Sequence, residues 1–356
     1  MMYSTLRFAT HRTTLRALST TSTSSISMNK IGFVGLGNMG LPMMKNLAQN
    51  PNNEIMAFDV NPQSRQLAES HVSNDNVQIV DDMTPVMRNQ HVIITMLPGD
   101  AVVDRVYAKL NQDWLHLSKQ LPNRRIVIDC STVSPMTSQK WSKVFQESGT
   151  ATLFDAPVSG GVQGSINGTL TFMLGGCAML HQQLENDSVG HNDITPLLQQ
   201  MGSRVLECGP HVGAGAACKL ANNLALATQM IGVCEALNLG ESLGVDPAVL
   251  TKVMESSTAN CWSLNVNHPH PDVASTKEIP PPASRGYQGG FATNLMLKDL
   301  GLAVEVAQSH NVAVPLTSAS QQLYQLSATQ GRGNQDFASL FQFLKGAPAP
   351  IDDTED

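Results

Sequence analysis

The sequence predicts an α/β protein: a Rossmann-type doubly wound sheet followed by an all-α C-terminal domain built on a long interdomain helix. Three observations carry that prediction. The segment F-V-G-L-G-N-M-G, residues 33–40, places a glycine-rich turn between an apolar strand run and a helix-period segment. Short β-rich runs then alternate with helical segments as far as Cys208, the pattern of parallel strands joined by right-handed crossovers. After Gly209 the β signal stops and only helical periods follow.

The glycine turn has a physical job. Gly35 allows the tight turn, Gly37 lets backbone approach a pyrophosphate, and Gly40 lets helix pack closely on strand. The pyrophosphate then meets the free N–H groups and positive end of the helix. Leu36, Asn38 and Met39 fill the variable places of this loop and belong to the expected cofactor site. A second apolar strand, 55–58, ends in Asp59, 19 residues after Gly40, the spacing at which a carboxylate reaches the adenosine ribose. That carboxylate accepts from a 2′-hydroxyl and repels a 2′-phosphate, so NAD is expected over NADP. Arg65 is the nearby cation that argues the other way.

Further strands are expected at 31–34, 77–79, 92–96, 126–128, 152–155 and 170–174. Several end in residues able to face a ligand, as open α/β sheets require: Asp59, Leu97-Pro98, and Asp129 through Thr132. In the second half, 214–240 reads as one long, mostly buried helix with few charges on any face. Helices at 247–255, 292–309, 316–329 and 336–344 follow. The stretch 265–285 carries five prolines and must be a loop. The expected divisions are a leader at 1–27, a dinucleotide domain at 29–208, a helical substrate and dimerisation domain at 209–346, and an acidic tail at 347–356.

Lys219 is the main catalytic candidate. Lys219, Asn222 and Asn223 stand at i, i+3 and i+4 of the long helix and so share a face. A lysine removed from water has a lowered pKa and can act as general acid or base near neutral pH. A lysine snorkelling to water from an exposed helix start is the competing reading. The second candidate is D-A-P-V-S-G-G, 155–161, where Ser159, Gly160 and Gly161 offer successive N–H groups that can cradle a carboxylate. An ordinary Ser-Gly-Gly turn would look the same. Asp155 reads as a strand-end residue that orders the loop.

Composition narrows the function. The 356-residue chain is 42% apolar and 14% charged with a net charge of −7, without basic blocks, which argues against nucleic acid. No apolar run reaches the roughly 18 residues of a membrane span. Six scattered cysteines form no C-x-x-C pair, against zinc and against a disulfide framework. His268 and His270 form an isolated H-x-H, so no metal is expected. Residues 1–27 hold Arg7, Arg12 and Arg16, thirteen Ser or Thr and no acid, the composition of a mitochondrial transit peptide. A disordered, untargeted tail is the plainer reading, and Met28 could start a shorter form.

Four ordered motifs resemble the β-hydroxyacid dehydrogenase family: G-F-V-G-L-G-N-M-G-L-P-M, D-A-P-V-S-G-G-V-Q-G, G-A-G-A-A-C-K-L-A-N-N and K-D-L-G-L-A. The resemblance runs from about Lys30 to Leu344, and N-C-W-S (260–263) with Y-Q-G-G-F (287–291) points within it to enzymes acting on 3-hydroxyisobutyrate. It implies NAD-dependent oxidation of (S)-3-hydroxyisobutyrate to methylmalonate semialdehyde in the mitochondrial matrix, by a homodimer or homotetramer. Lys219 would take the hydroxyl proton. Ser131, Ser159, Gly160, Gly161 and Asn223 would hold the substrate; Leu97, Pro98 and Thr132 would line the nicotinamide side. Lys298 would reach the cofactor, with Phe291 and Asp299 nearby. Two departures stand out: the family's asparagine after L-P is replaced within Gly99–Val103, and the 265–285 loop differs in detail. A reductase of short semialdehydes and a decarboxylating phospho-sugar-acid dehydrogenase are alternatives, although no Lys/Arg cluster supports a phosphate pocket. A non-catalytic NAD-binding module would usually lack the lysine.

Overall fold

The computed structural model describes residues 29–72, 74–117, 125–179, 191–273 and 280–347. The expected leader, and the tail from 348 onward, lie outside the described residues. Six strands form a parallel sheet: β1 (Asn29–Val34), β2 (Asn53–Phe58), β3 (Val77–Ile79), β4 (Val92–Thr95), β5 (Arg125–Asp129) and β6 (Ala151–Asp155). Their order is β3-β2-β1-β4-β5-β6, so the chain reverses direction across the sheet between β1 and β4. A ligand crevice opens at the strand ends of such a switch point. Strand β1 is buried from Ile31 to Val34, and β5 and β6 are buried throughout, as a sheet covered on both faces requires.

The covering helices on this half are α1 (Gly40–Ala48), α2 (Pro62–His71), α3 (Thr84–Asn89), α4 (Asp100–Leu117) and α5 (Pro135–Ser148). Local chemistry sets several of their ends. Asn61 caps α2 by accepting from the Gln63 N–H at 2.9 Å, and Pro62 follows with its φ already helical. Gly149 ends α5 in a left-handed conformation at φ 67°. One core, including Phe33, Met43, Leu47, Ile94 and Phe154, fills one face of the sheet, and another, including Val103, Tyr107, Trp114 and Phe145, fills the opposite face.

The run at 170–174 does form a strand, but not in the doubly wound sheet. Strand β8 (Leu170–Gly175) lies in a separate three-stranded sheet, antiparallel to β7 (Val158–Ser159) and parallel to β9 (Gly202–Gly209). Helices α6 (Gly161–Ile166) and α7 (His191–Gln199) accompany it.

The remainder is helical. Helix α8 (Ala214–Ser242) runs 29 residues, followed by α9 (Pro247–Ser256), α10 (Trp262–Asn265), α11 (Thr293–Ser309), α12 (Pro315–Ser327) and α13 (Leu340–Leu344). The expected 316–329 helix is found at Pro315–Ser327 and passes into a π turn that kinks at Gln330 and Gly331, where Gly331 turns to φ 84°; the 336–344 segment begins as a 3-10 turn. Helix α8 is not buried on every face. Met230, Cys234 and Leu237 enter a third core with Met296, Tyr324 and Phe341, whereas Asn222 and Leu239 face outward. No helix among the described residues is long and apolar enough to cross a membrane.

Candidate active site

The β1–α1 turn is built as its glycines require. Gly35 sits at φ 101°, and a Cβ there would strike the Met96 carbonyl; a Cβ at Gly40 would strike the carbonyl of Gly35. At Gly37 an added Cβ would meet nothing within 4 Å, so the backbone itself forms the wall. No side chain caps α1 at Met39. The Leu41 N–H donates to the Gly37 carbonyl at 3.1 Å and Pro42 has no N–H, so the Gly40 N–H is the helix-start donor that faces an anionic ligand.

Asp59, at the end of β2, faces this turn. Its Oδ2 accepts from the Leu36 N–H at 2.7 Å and its Oδ1 from the Asn61 N–H at 2.8 Å. Arg65 folds back beside it: Nη1 donates to the Asp59 carbonyl at 2.7 Å, and the guanidinium lies 5.8 Å from the Phe58 ring centroid.

A cavity of 1280 Å³ runs from this end across to the helical half. Of the expected site residues, Gly35, Gly37, Asn38, Met39, Gly40, Asp59, Leu97, Pro98, Thr132, Gly161, Lys219 and Lys298 share its wall. Five do not. Leu36 turns its side chain into the core at 1% exposure, leaving only its backbone at the loop. Ser159 is half-buried and Gly160 exposed; they connect Val158 and Gly161, which do line the cavity. Ser131 is buried, its Oγ accepting from the Leu97 N–H at 2.8 Å. Asn223 is buried as well, donating to Asp299 Oδ2 at 2.6 Å. Sequence reading did not single out Asp81, Asp82, Arg105, Lys109 and Asn334, which also reach the wall. They lie in loops and on an exposed helix face, where no residue pattern marks them.

Lys219 is 8% exposed, in the second turn of α8. Burial pushes its pKa below the ordinary lysine range; the Asp299 carboxylate pulls it back up and Lys298 pushes it further down. Its expected companions separate. Asn223 is buried beside Asp299, while Asn222 is exposed and reaches back to donate to Asn223 Oδ1 at 3.1 Å. Lys298 Nζ lies 3.2 Å from Asp299 Oδ1 and donates to the Thr132 carbonyl at 2.9 Å. It thereby ties α11 to the loop after β5.

Asp155 ends β6, the strand-end place expected, and its carboxylate reaches the helical half as well. Its Oδ1 accepts from the Gly213 N–H and its Oδ2 from the Ala216 N–H, both at 2.8 Å. It thus holds the start of α8, one turn before Lys219, rather than only ordering its own loop. Burial raises its pKa, and those backbone donors oppose the rise.

The departures from the family pattern have structural roles. Asp100, in the segment lacking the asparagine, accepts from the Ser134 N–H at 2.9 Å. His268 and His270 are buried among structural partners: His268 Nε2 lies 3.0 Å from Thr251 Oγ1, and His270 Nε2 lies 3.7 Å from Glu241. Burial lowers the His268 pKa to about 4.

These residues fit a dinucleotide. An open glycine backbone at an uncapped helix start suits a pyrophosphate, a strand-end carboxylate suits a ribose, and the cavity has room for both halves.

Comparison with known proteins agrees. Residues 30–209 match the family model described as the NAD binding domain of 6-phosphogluconate dehydrogenase. Residues 213–344 match the one described as NAD-binding of NADP-dependent 3-hydroxyisobutyrate dehydrogenase. The mitochondrial 3-hydroxyisobutyrate dehydrogenase of Bos taurus is 38% identical, covering 91% of this chain and 89% of its own. That of Drosophila melanogaster is 36% identical, covering 94% of each. Among solved structures, the Mycobacterium tuberculosis 3-hydroxyisobutyrate dehydrogenase with L-serine superposes with a TM-score of 0.76 at 32% identity, covering 89% of this chain and 99% of that one. The chain belongs to the 3-hydroxyisobutyrate dehydrogenase family of NAD-dependent oxidoreductases.

Proposed function

We propose that this enzyme oxidises (S)-3-hydroxyisobutyrate to methylmalonate semialdehyde with NAD, as a step of valine catabolism, and that Lys219 takes the hydroxyl proton. One observation carries the assignment of Lys219: a lysine buried in the wall of the same cavity that the glycine turn and Asp59 enter. Desolvation favours its neutral amine, the form able to accept a proton. NAD, when bound, supplies the acceptor for the hydride that leaves the carbinol carbon. The residues of this chain bind, orient and deprotonate. Gly35, Gly37, Asn38, Met39 and Gly40, with the Leu36 backbone, take the pyrophosphate; Asp59 takes the adenosine ribose. Leu97, Pro98, Thr132 and Lys298 flank the nicotinamide side. Gly161 offers its N–H to the substrate carboxylate, with Ser159 and Gly160 shaping that turn. Ser131 and Asn223 act from behind the wall, through Leu97 and Asp299.

Residues 29–208 are assigned to cofactor binding and 209–346 to the helical substrate unit. The composition of residues 1–27 and the mitochondrial relatives support delivery to the matrix. Exposed Leu239, Leu243, Val249 and Val253 on α8, α9 and the turn between them support a homodimer or homotetramer. A turnover assay with 3-hydroxyisobutyrate, 3-hydroxypropionate and 6-phosphogluconate, each with NAD and NADP, tests the assignment. The first acid with NAD should give the highest kcat/KM. Preference for the phosphorylated acid would overturn it.

A further inference from the structure

Asp129, the last residue of β5, stands behind the cavity wall and is 1% exposed. Its Oδ1 accepts from the Ser131 N–H and from Thr95 Oγ1, both at 3.0 Å. Thr95 Oγ1 lies 2.7 Å from the buried Tyr107 hydroxyl. Asp129 Oδ2 has no hydrogen-bond partner among the described residues. Burial raises the Asp129 pKa to about 6, against bonds from Ser131 and Thr95 that hold it down. A buried carboxylate with one oxygen unsatisfied costs folding stability, so packing alone is a poor reason for it.

The network continues outward to the cofactor wall. Ser131, held on Asp129 by its backbone N–H, turns its Oγ to accept the Leu97 N–H at 2.8 Å. Leu97 and Pro98 are themselves cavity wall, and Lys298 reaches the Pro98 carbonyl from the far side at 3.4 Å. An ionised carboxylate can only accept, so it holds the Ser131 N–H and the Thr95 hydroxyl together, whereas an amide at 129 can turn a donor toward them and release that grip.

We propose that Asp129 is a positioning residue for hydride transfer: ionised, it holds the Ser131 N–H and, through the Ser131 Oγ, fixes the Leu97-Pro98 turn against the nicotinamide ring. This rests on the NAD-dependent reading above. It assigns Asp129 no contact with substrate or cofactor.

The test is Asp129→Asn in the full chain, assayed well above pH 6, with Ser131→Ala as a second cut in the same network. For Asp129→Asn, kcat should fall roughly 10- to 100-fold with NAD affinity within about threefold, because the ring is misplaced while the adenosine half stays anchored. The isotope effect on substrate deuterated at the carbinol carbon should rise, and the melting temperature should hold or increase as the uncompensated charge is removed. Emission of bound NADH, measured without any acid present, should change in both variants, since it reports the surroundings of the ring. Losses in the double variant should fall short of the sum of the two singles. Unchanged NADH emission with kcat within about twofold of wild type would overturn the proposal. Loss of kcat explained entirely by a lowered melting temperature would overturn it too. If the wild type turned over no 3-hydroxy acid, the functional reading would fail, while the NADH emission comparison would still decide the role of Asp129.

Discussion

The two ends of the cavity are made in different ways. The end proposed for the dinucleotide centres on one short stretch of chain, Gly35 to Asp59, and offers mostly main chain: an open turn, an uncapped helix start, one carboxylate. The end proposed for the reaction is assembled from side chains far apart in sequence. Lys298 bonds across to Thr132, 166 residues away, and Asn223 to Asp299, 76 residues away. Main-chain recognition should tolerate changes at Asn38, which is exposed, because the contacts offered are N–H groups. Side-chain recognition has no such slack: each group depends on the helix that carries it, as Lys219 depends on the α8 start held by Asp155.

The sharpest break between the ends should come from Lys219→Ala. If Lys219 moves the proton, turnover should drop at least roughly a hundredfold, the low end for a general acid or base. NAD affinity, measured by calorimetry, should barely move, because the other end holds the dinucleotide. Lys219→Arg keeps the charge but cannot readily release a proton, so it should be nearly as slow. An Arg variant with most of its activity would make Lys219 an anchor for the substrate carboxylate and leave the proton to another group.

The same contrast explains what could be read from the sequence. The glycine turn and Asp59 were legible because their chemistry is local: spacing and strand context suffice. Strand β9, Gly202–Gly209, was not. It is an edge strand with Ser203, Arg204, Leu206 and Glu207 exposed, so no apolar run announces it. Strand β7 has only two residues, Val158 and Ser159, too few for any period. At the reaction end, spacing put Lys219, Asn222 and Asn223 on one face, yet Asn222 is exposed. A hundred degrees per residue places neighbours together, but the partner surface, here Asp299 on α11, decides which of them is buried. Ser131 was expected at the substrate from the family resemblance; it is buried, and its Oγ accepts from the Leu97 N–H, a contact that no spacing announces.

A smaller effect, confined to the dinucleotide end, is expected for Gly37→Ala. The added methyl meets no protein atom within 4 Å, so the melting temperature should stay at the wild-type value. NAD affinity should fall roughly 10- to 100-fold, the 1–3 kcal/mol of forcing a methyl into an occupied contact. Lost stability with unchanged NAD binding would show that the turn serves the fold and not the ligand.

Asp59→Ser should have the mildest effect, and it tests how far one side chain matters where main chain dominates. Asp59 has two tasks: it accepts from the Leu36 and Asn61 N–H groups, and its charge faces the place of the ribose. Serine keeps an acceptor but removes the charge that repels a 2′-phosphate. It also leaves Arg65, hooked to the carbonyl of residue 59, as the nearest cation. The preference for NAD over NADP, taken as the ratio of kcat/KM values, should therefore narrow by about tenfold, equal to ~1.4 kcal/mol. The loss should fall on KM, because kcat is set at the far end of the cavity. Asp59→Asn serves as the control. Its amide oxygen can still accept from Leu36, so the turn survives while the charge is lost. A narrowing in both variants assigns the preference to charge. A narrowing in Ser alone assigns it to the shape of the turn, and a wild-type enzyme equally active with NADP would remove Asp59 from cofactor choice altogether.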